Sequence, residues 1–131
     1  MTKLRALAAF WGGAIILGAA WLQTFRPHGK LLAQLLRSEV LHVSAHLVLY
    51  GLLAAIVWRA SSGRRAIVIG VTAVVALLQE GAQSVLYGRP PGHEEAFDLG
   101  VDTIALVLAL VLCARLLPVR RLSGQPSNPA G

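Results

Sequence analysis

The chain has 131 residues, 56% of them hydrophobic and only 14% charged, with a mean hydropathy of +0.65. A soluble domain carries roughly 25% charged residues, so the composition excludes an ordinary soluble fold. It points to one small integral membrane domain over residues 1–122, with no room for a second. The formal charge of +6 does not indicate nucleic acid, because the bases sit at the ends of apolar runs rather than in a patch with aromatics.

Four apolar stretches follow in order, at about 6–25, 40–58, 66–87 and 99–117. Each approaches the roughly 20 residues that a helical crossing needs. Backbone groups in lipid must be satisfied within the segment, which predicts helices rather than strands. Pro27, Ser61-Ser62-Gly63, Pro90-Pro91 and Pro118 punctuate the boundaries. The first stretch, preceded by Lys3 and Arg5, exceeds the about 7–15 apolar residues of a signal-peptide core and reads as a span. It carries no ionisable residue, only small ones at Ala8, Gly12, Ala14 and Gly18, and is expected to support the other helices.

Between the first and second stretches, Leu31, Leu32, Leu35 and Leu36 fit either a short surface helix or a loop. Residues 123–131 are polar, contain Pro126 and Pro129, and are expected to form a disordered cytoplasmic tail. Cys113, the sole cysteine, lies in an apolar run and suits packing.

With four spans, eight bases fall on one side: Lys3, Arg5, Arg59, Arg64, Arg65, Arg115, Arg120 and Arg121. Arg26, Lys30, Arg37 and Arg89 fall on the other. The positive-inside rule then puts both termini in the cytoplasm. The expected fold is an all-α membrane protein, a bundle of four transmembrane helices. Trp21 and Tyr87 would mark the outer interface and Trp58 the inner one. The turn His93-Glu94-Glu95 reads as a solvated outer loop.

Five of the six acidic residues lie between Glu80 and Asp102. Glu80 and Asp102 fall inside apolar runs, where an ionisable group is by default a lead to function. With a rise of about 1.5 Å per residue, Asp102 lies about 5 Å, Glu80 about 10 Å and His46 about 9 Å below the outer ends of their spans. His42, His46 and Tyr50 form one i, i+4, i+8 stripe; Asp98 and Asp102 form another; Glu80 and Gln83 a third. Lipid would penalise all of them, so the stripes should face each other, with Arg89 and His93 in the loop above.

Several readings are open for this cluster. It can be a structural clamp between helices. It can recognise a polar or anionic headgroup, with Arg89 as the phosphate or carboxylate contact. It can also be an enzyme site in which a desolvated Glu80 serves as acid or base. His42 and His46, on one helical face, are also candidate metal ligands, with Glu80 and Asp98 as further ones. No nucleophile elbow, phosphatase signature or cofactor motif occurs.

The ordered residues resemble the VanZ-like family of small polytopic membrane proteins over roughly Leu41 to Leu117. The family's His, three residues, then an aromatic is similar to His46 to Tyr50. Its second block (an acid-Glu pair, two intervening residues, Gln, a turn with Arg, then Asp and Asn four apart) resembles Gln79-Glu80, Gln83, Arg89, Asp98 and Asp102. The chain departs from the pattern at His42-Val43, where the family has Asp-Lys. It also departs at Gln79 for Asp, Asp102 for Asn and Ala105 for Gly. The resemblance implies a multi-pass protein of the bacterial plasma membrane with a cell-envelope role, connected through the family's name to teicoplanin resistance. It implies membrane lipids as partners, with a lipid-linked cell-wall precursor or a lipoglycopeptide as further candidates, and supplies no reaction.

Overall fold

A computed structural model describes residues 2–24, 38–88 and 90–117, and side chains over the same ranges except 19–24 and Tyr87. The segment 30–37, Trp21, Tyr87, Arg89 and the tail 123–131 therefore lie outside the described residues or side chains. The described chain is helical: α1 (Thr2–Thr24), α2 (Glu39–Ala60), α3 (Arg65–Tyr87) and α4 (His93–Leu116). Among the described residues α2, α3 and α4 are each long and apolar enough to cross a membrane. Large apolar side chains such as Phe10, Leu17, Val40, Val48, Leu78, Val85 and Val107 stay exposed, as lipid-facing residues do and as a water-soluble helical protein avoids.

The helix ends have local causes. Between α2 and α3, Ser62 (φ 54°) and Gly63 (φ 75°) both adopt the left-handed conformation. The Gly63 amide reaches back to the Trp58 carbonyl at 2.9 Å, closing the end of α2 as a left-handed cap does. A non-glycine residue there costs about 1–2 kcal/mol, so Ser62 is a strained position. Gly88 (φ 62°) ends α3 with a left-handed residue as well, its amide 3.2 Å from the Val85 carbonyl three residues back. Pro90-Pro91-Gly92 then separates α3 from α4.

The helix α4 begins at His93, earlier than the hydropathy places the fourth span. His93-Glu94-Glu95 is thus the first helical turn rather than a loop. Glu95 folds back so that the Gly92 amide donates to its Oε2 at 2.7 Å, the glutamate half of a capping box. Its side chain is buried, which corrects the expectation that it is solvated.

The four helices pack unequally. The most extensive contact joins α2 to α4; α1 lies against α2 and α3, and α4 against α2 and α3. Among the described residues α1 does not touch α4. Val101, Ala105, Ala109 and Cys113 form a small-residue stripe along the buried face of α4, which lets the α2 backbone come near. Val68, Thr72 and Ala76 do the same on α3. Tyr50, Leu53, Val68 and Thr72 are the largest fully enclosed side chains. Trp58 is buried in this packing rather than displayed on the surface.

Two of the contacts that hold α1 are specific. The Trp11 indole N–H donates to the Leu49 carbonyl at 3.1 Å. Gly12 lies so near α3 that a Cβ at that position would sit 3.2 Å from Val75 Cγ2.

Candidate functional site

The polar residues of three helices converge at the end of the molecule that carries the α3–α4 turn. Two hydrogen bonds join α2 to α4 like rungs. His42 Nε2 meets Asp98 Oδ1 at 2.9 Å, and His46 Nδ1 meets Asp102 Oδ1 at 2.7 Å. Both rungs follow from the same arithmetic: residues four apart share a helical face, and both helices carry their polar pair at that spacing. With the aspartates ionised, the imidazole N–H donates to the carboxylate in each rung. The His42 and His46 rings are 4.6 Å apart, and His46 stacks on Tyr50 at 5.8 Å.

A second chain of bonds runs from α2 to α3. The Tyr50 hydroxyl donates to Gln79 Oε1 at 2.9 Å, and the Gln79 amide donates to Glu80 Oε1 at 3.2 Å. Glu80 thus meets a glutamine on its own helix rather than a histidine, while charge–charge coupling links it to Asp98, His46, Asp102 and Glu95. Gln83 is half-buried and makes no hydrogen bond to the described residues.

Burial makes the site chemically pointed. Glu80, Glu95, Asp98 and Asp102 are each no more than 7% exposed. The described partners of Asp98 and Asp102 are histidines, with no lysine or arginine at either. Among the described residues Glu80 Oε2 and Asp102 Oδ2 are buried with no hydrogen-bond partner, as is Ser84 Oγ one turn from Glu80. A buried carboxylate oxygen left unpaired loses its hydration without return. These atoms can accept a donor that the described chain does not supply.

Two participants escape a reading of the sequence. Glu95 is masked by the polarity of the first turn of α4, although a glutamate three residues after Gly92 is a capping signal. Gln79 shares the depth of the cluster, but its role as the link between Tyr50 and Glu80 depends on helix rotation, which spacing alone does not give. His42 remains partly open, its side chain 47% exposed, and gives the cluster an edge to the surroundings.

At the opposite end, a cleft of about 460 Å³ opens among α1, α2 and α3, lined by Arg5, Gly12, Val57, Ser61, Val71 and Val75 among others. None of its lining residues belongs to the polar cluster.

No protein-family model, curated protein or solved structure matches the chain.

Proposed function

We propose that the chain is a VanZ-like protein of the bacterial plasma membrane: a bundle of four transmembrane helices with both termini cytoplasmic. In this reading the polar cluster faces outward and recognises the headgroup of a membrane lipid, a lipid-linked cell-wall precursor or a lipoglycopeptide. The observation that carries it is the pair of unpartnered buried oxygens, Glu80 Oε2 and Asp102 Oδ2, in a site with four buried carboxyl groups. Such a site favours a donor-rich or ammonium-bearing headgroup over a bare anion, since like charges at short range repel.

Mass spectrometry of lipids retained by the purified protein tests this. An amine- or hydroxyl-bearing lipid retained by the parent chain and lost from Glu80→Gln, with helix content unchanged, is the expected result. Retention of the same lipids by both proteins would remove the cluster from recognition. Orientation has its own test. A tag at Gly92 should be reachable only from outside the cell, and replacing Arg59, Arg64 and Arg65 with asparagine should weaken that preference.

The His46–Asp102 pair favours one alternative, a membrane-embedded enzyme acting on a lipid-linked envelope substrate with Glu80 as acid or base. A carboxylate that orients an imidazole is a recurrent element of general acid–base sites. Turnover abolished in Glu80→Gln, with headgroup binding intact, would establish that reading instead.

A further inference from the structure

We propose that His42, His46 and Asp98 form a binding site for a divalent transition ion of the zinc type, oriented by Asp102. Their donor atoms all lie within 4.8 Å of one another. His42 Nε2 and Asp98 Oδ1 are already 2.9 Å apart; an ion entering between them replaces their hydrogen bond, with the Nε2 proton moving to Nδ1. Tetrahedral zinc with bonds of about 2.0–2.1 Å spaces its ligands about 3.4 Å apart, so side-chain torsions have to close the widest gap by about an ångström and a half.

Chemistry favours this class of ion. Two imidazoles and one carboxylate, with no thiolate, suit zinc and its neighbours and not calcium or magnesium, which prefer all-oxygen shells. Placing the histidines four apart on one helix puts both rings on one face, the arrangement by which helical zinc sites present two ligands.

A second, independent feature is the Asp102 rung. Metal-bound histidines commonly donate their other ring N–H to a carboxylate, which fixes the tautomer and strengthens the ligand. His46 does so through Nδ1, at 2.7 Å from Asp102 Oδ1. Its Nε2 therefore keeps a lone pair, and this atom makes no hydrogen bond among the described residues. Electrostatics points the same way. The buried carboxyl groups of Glu80, Asp98 and Asp102 act on His46, and a dication offsets their charge where no described lysine or arginine pairs with Asp98 or Asp102. Ion access is through His42, the partly exposed ligand, and that side leaves the fourth coordination position open for water or a ligand oxygen.

The inference shares the cluster with the headgroup reading but rests on different atoms, so the two can fail separately. The full chain is purified in detergent, stripped with chelator and titrated with zinc, and also with cobalt to read its visible ligand-field bands. One ion per chain is expected, with a rise in the thermal midpoint. His42→Ala, at a partly exposed position, should weaken zinc binding at least 100-fold with helix content retained. Asp102→Asn should weaken it 10–100-fold, the usual range when an outer carboxylate partner is lost. No stoichiometric zinc on the parent chain overturns the proposal. So does binding unchanged in both variants, which would place the ion elsewhere. Headgroup retention measured with chelator present then reports on the lipid reading alone.

Discussion

The two ends of the molecule hold their helices together by different means. At the α3–α4 end, α2 is tied to α4 by two His–Asp bonds and to α3 by Tyr50 and Gln79. At the α2–α3 end the described cations Arg5, Arg59, Arg64 and Arg65 are exposed. The contact there is apolar, and the helices part around the cleft. In lipid there is no hydrophobic drive between helices, so association depends on close packing and interhelical hydrogen bonds. One end uses the second device and the other the first. Hydrogen-bonded side-chain pairs between helices are therefore concentrated at one end among the described residues. Among the described residues the buried carboxyl groups are gathered at that end and leave two oxygens unpartnered there, while Thr72 Oγ1 and Trp58 Nε1 lie unpartnered elsewhere.

Substitutions at each end can break or sharpen this contrast. The largest effect is expected at the packed end. Gly12→Leu places a branched side chain against Val75, where even a Cβ comes to 3.2 Å. Overpacking of this kind costs about 1–3 kcal/mol, and denaturation in mixed detergent should show it. Gly12→Ala, needing only a small shift of Val75, should fall well below that. At the polar end, a double-mutant cycle on His46→Ala and Asp102→Ala should return a coupling of about 0.6–2 kcal/mol, the range for interhelical hydrogen bonds in membranes. A coupling near zero would demote the rung from a tie to a coincidence of position. The smallest effect is expected for Tyr50→Phe. It removes the bond to Gln79 and should lower stability by about 0.5–1.5 kcal/mol, with no effect on zinc affinity.

Much of this was legible in the sequence, and the gaps have physical causes. Long apolar runs announce helices directly. The i, i+4 spacing of His42 with His46, and of Asp98 with Asp102, announces two stripes that must face something polar. Which stripe meets which is set by helix rotation, and that depends on small residues such as Ala105 and Ala109 letting α4 approach α2. The start of α4 was misplaced because hydropathy falls over His93-Glu94-Glu95, although the helix there is stabilised by a cap. A span defined by transfer into lipid and a helix defined by backbone bonding need not share an end. Tyr50 fits its stripe in sequence, yet its hydroxyl serves α3 while the two histidines serve α4.

Both rungs join residues 56 positions apart, with the histidine first each time. Synthesis runs from the N-terminus, so the ribosome delivers both imidazoles before either aspartate exists. Asp98 and Asp102 then arrive as late passengers that dock onto bases already in position. That order should shield the two aspartates during insertion. A circular rearrangement placing α4 ahead of α2 would keep every contact and lose that protection, so it should lower the yield of inserted protein while leaving the stability of what is inserted unchanged.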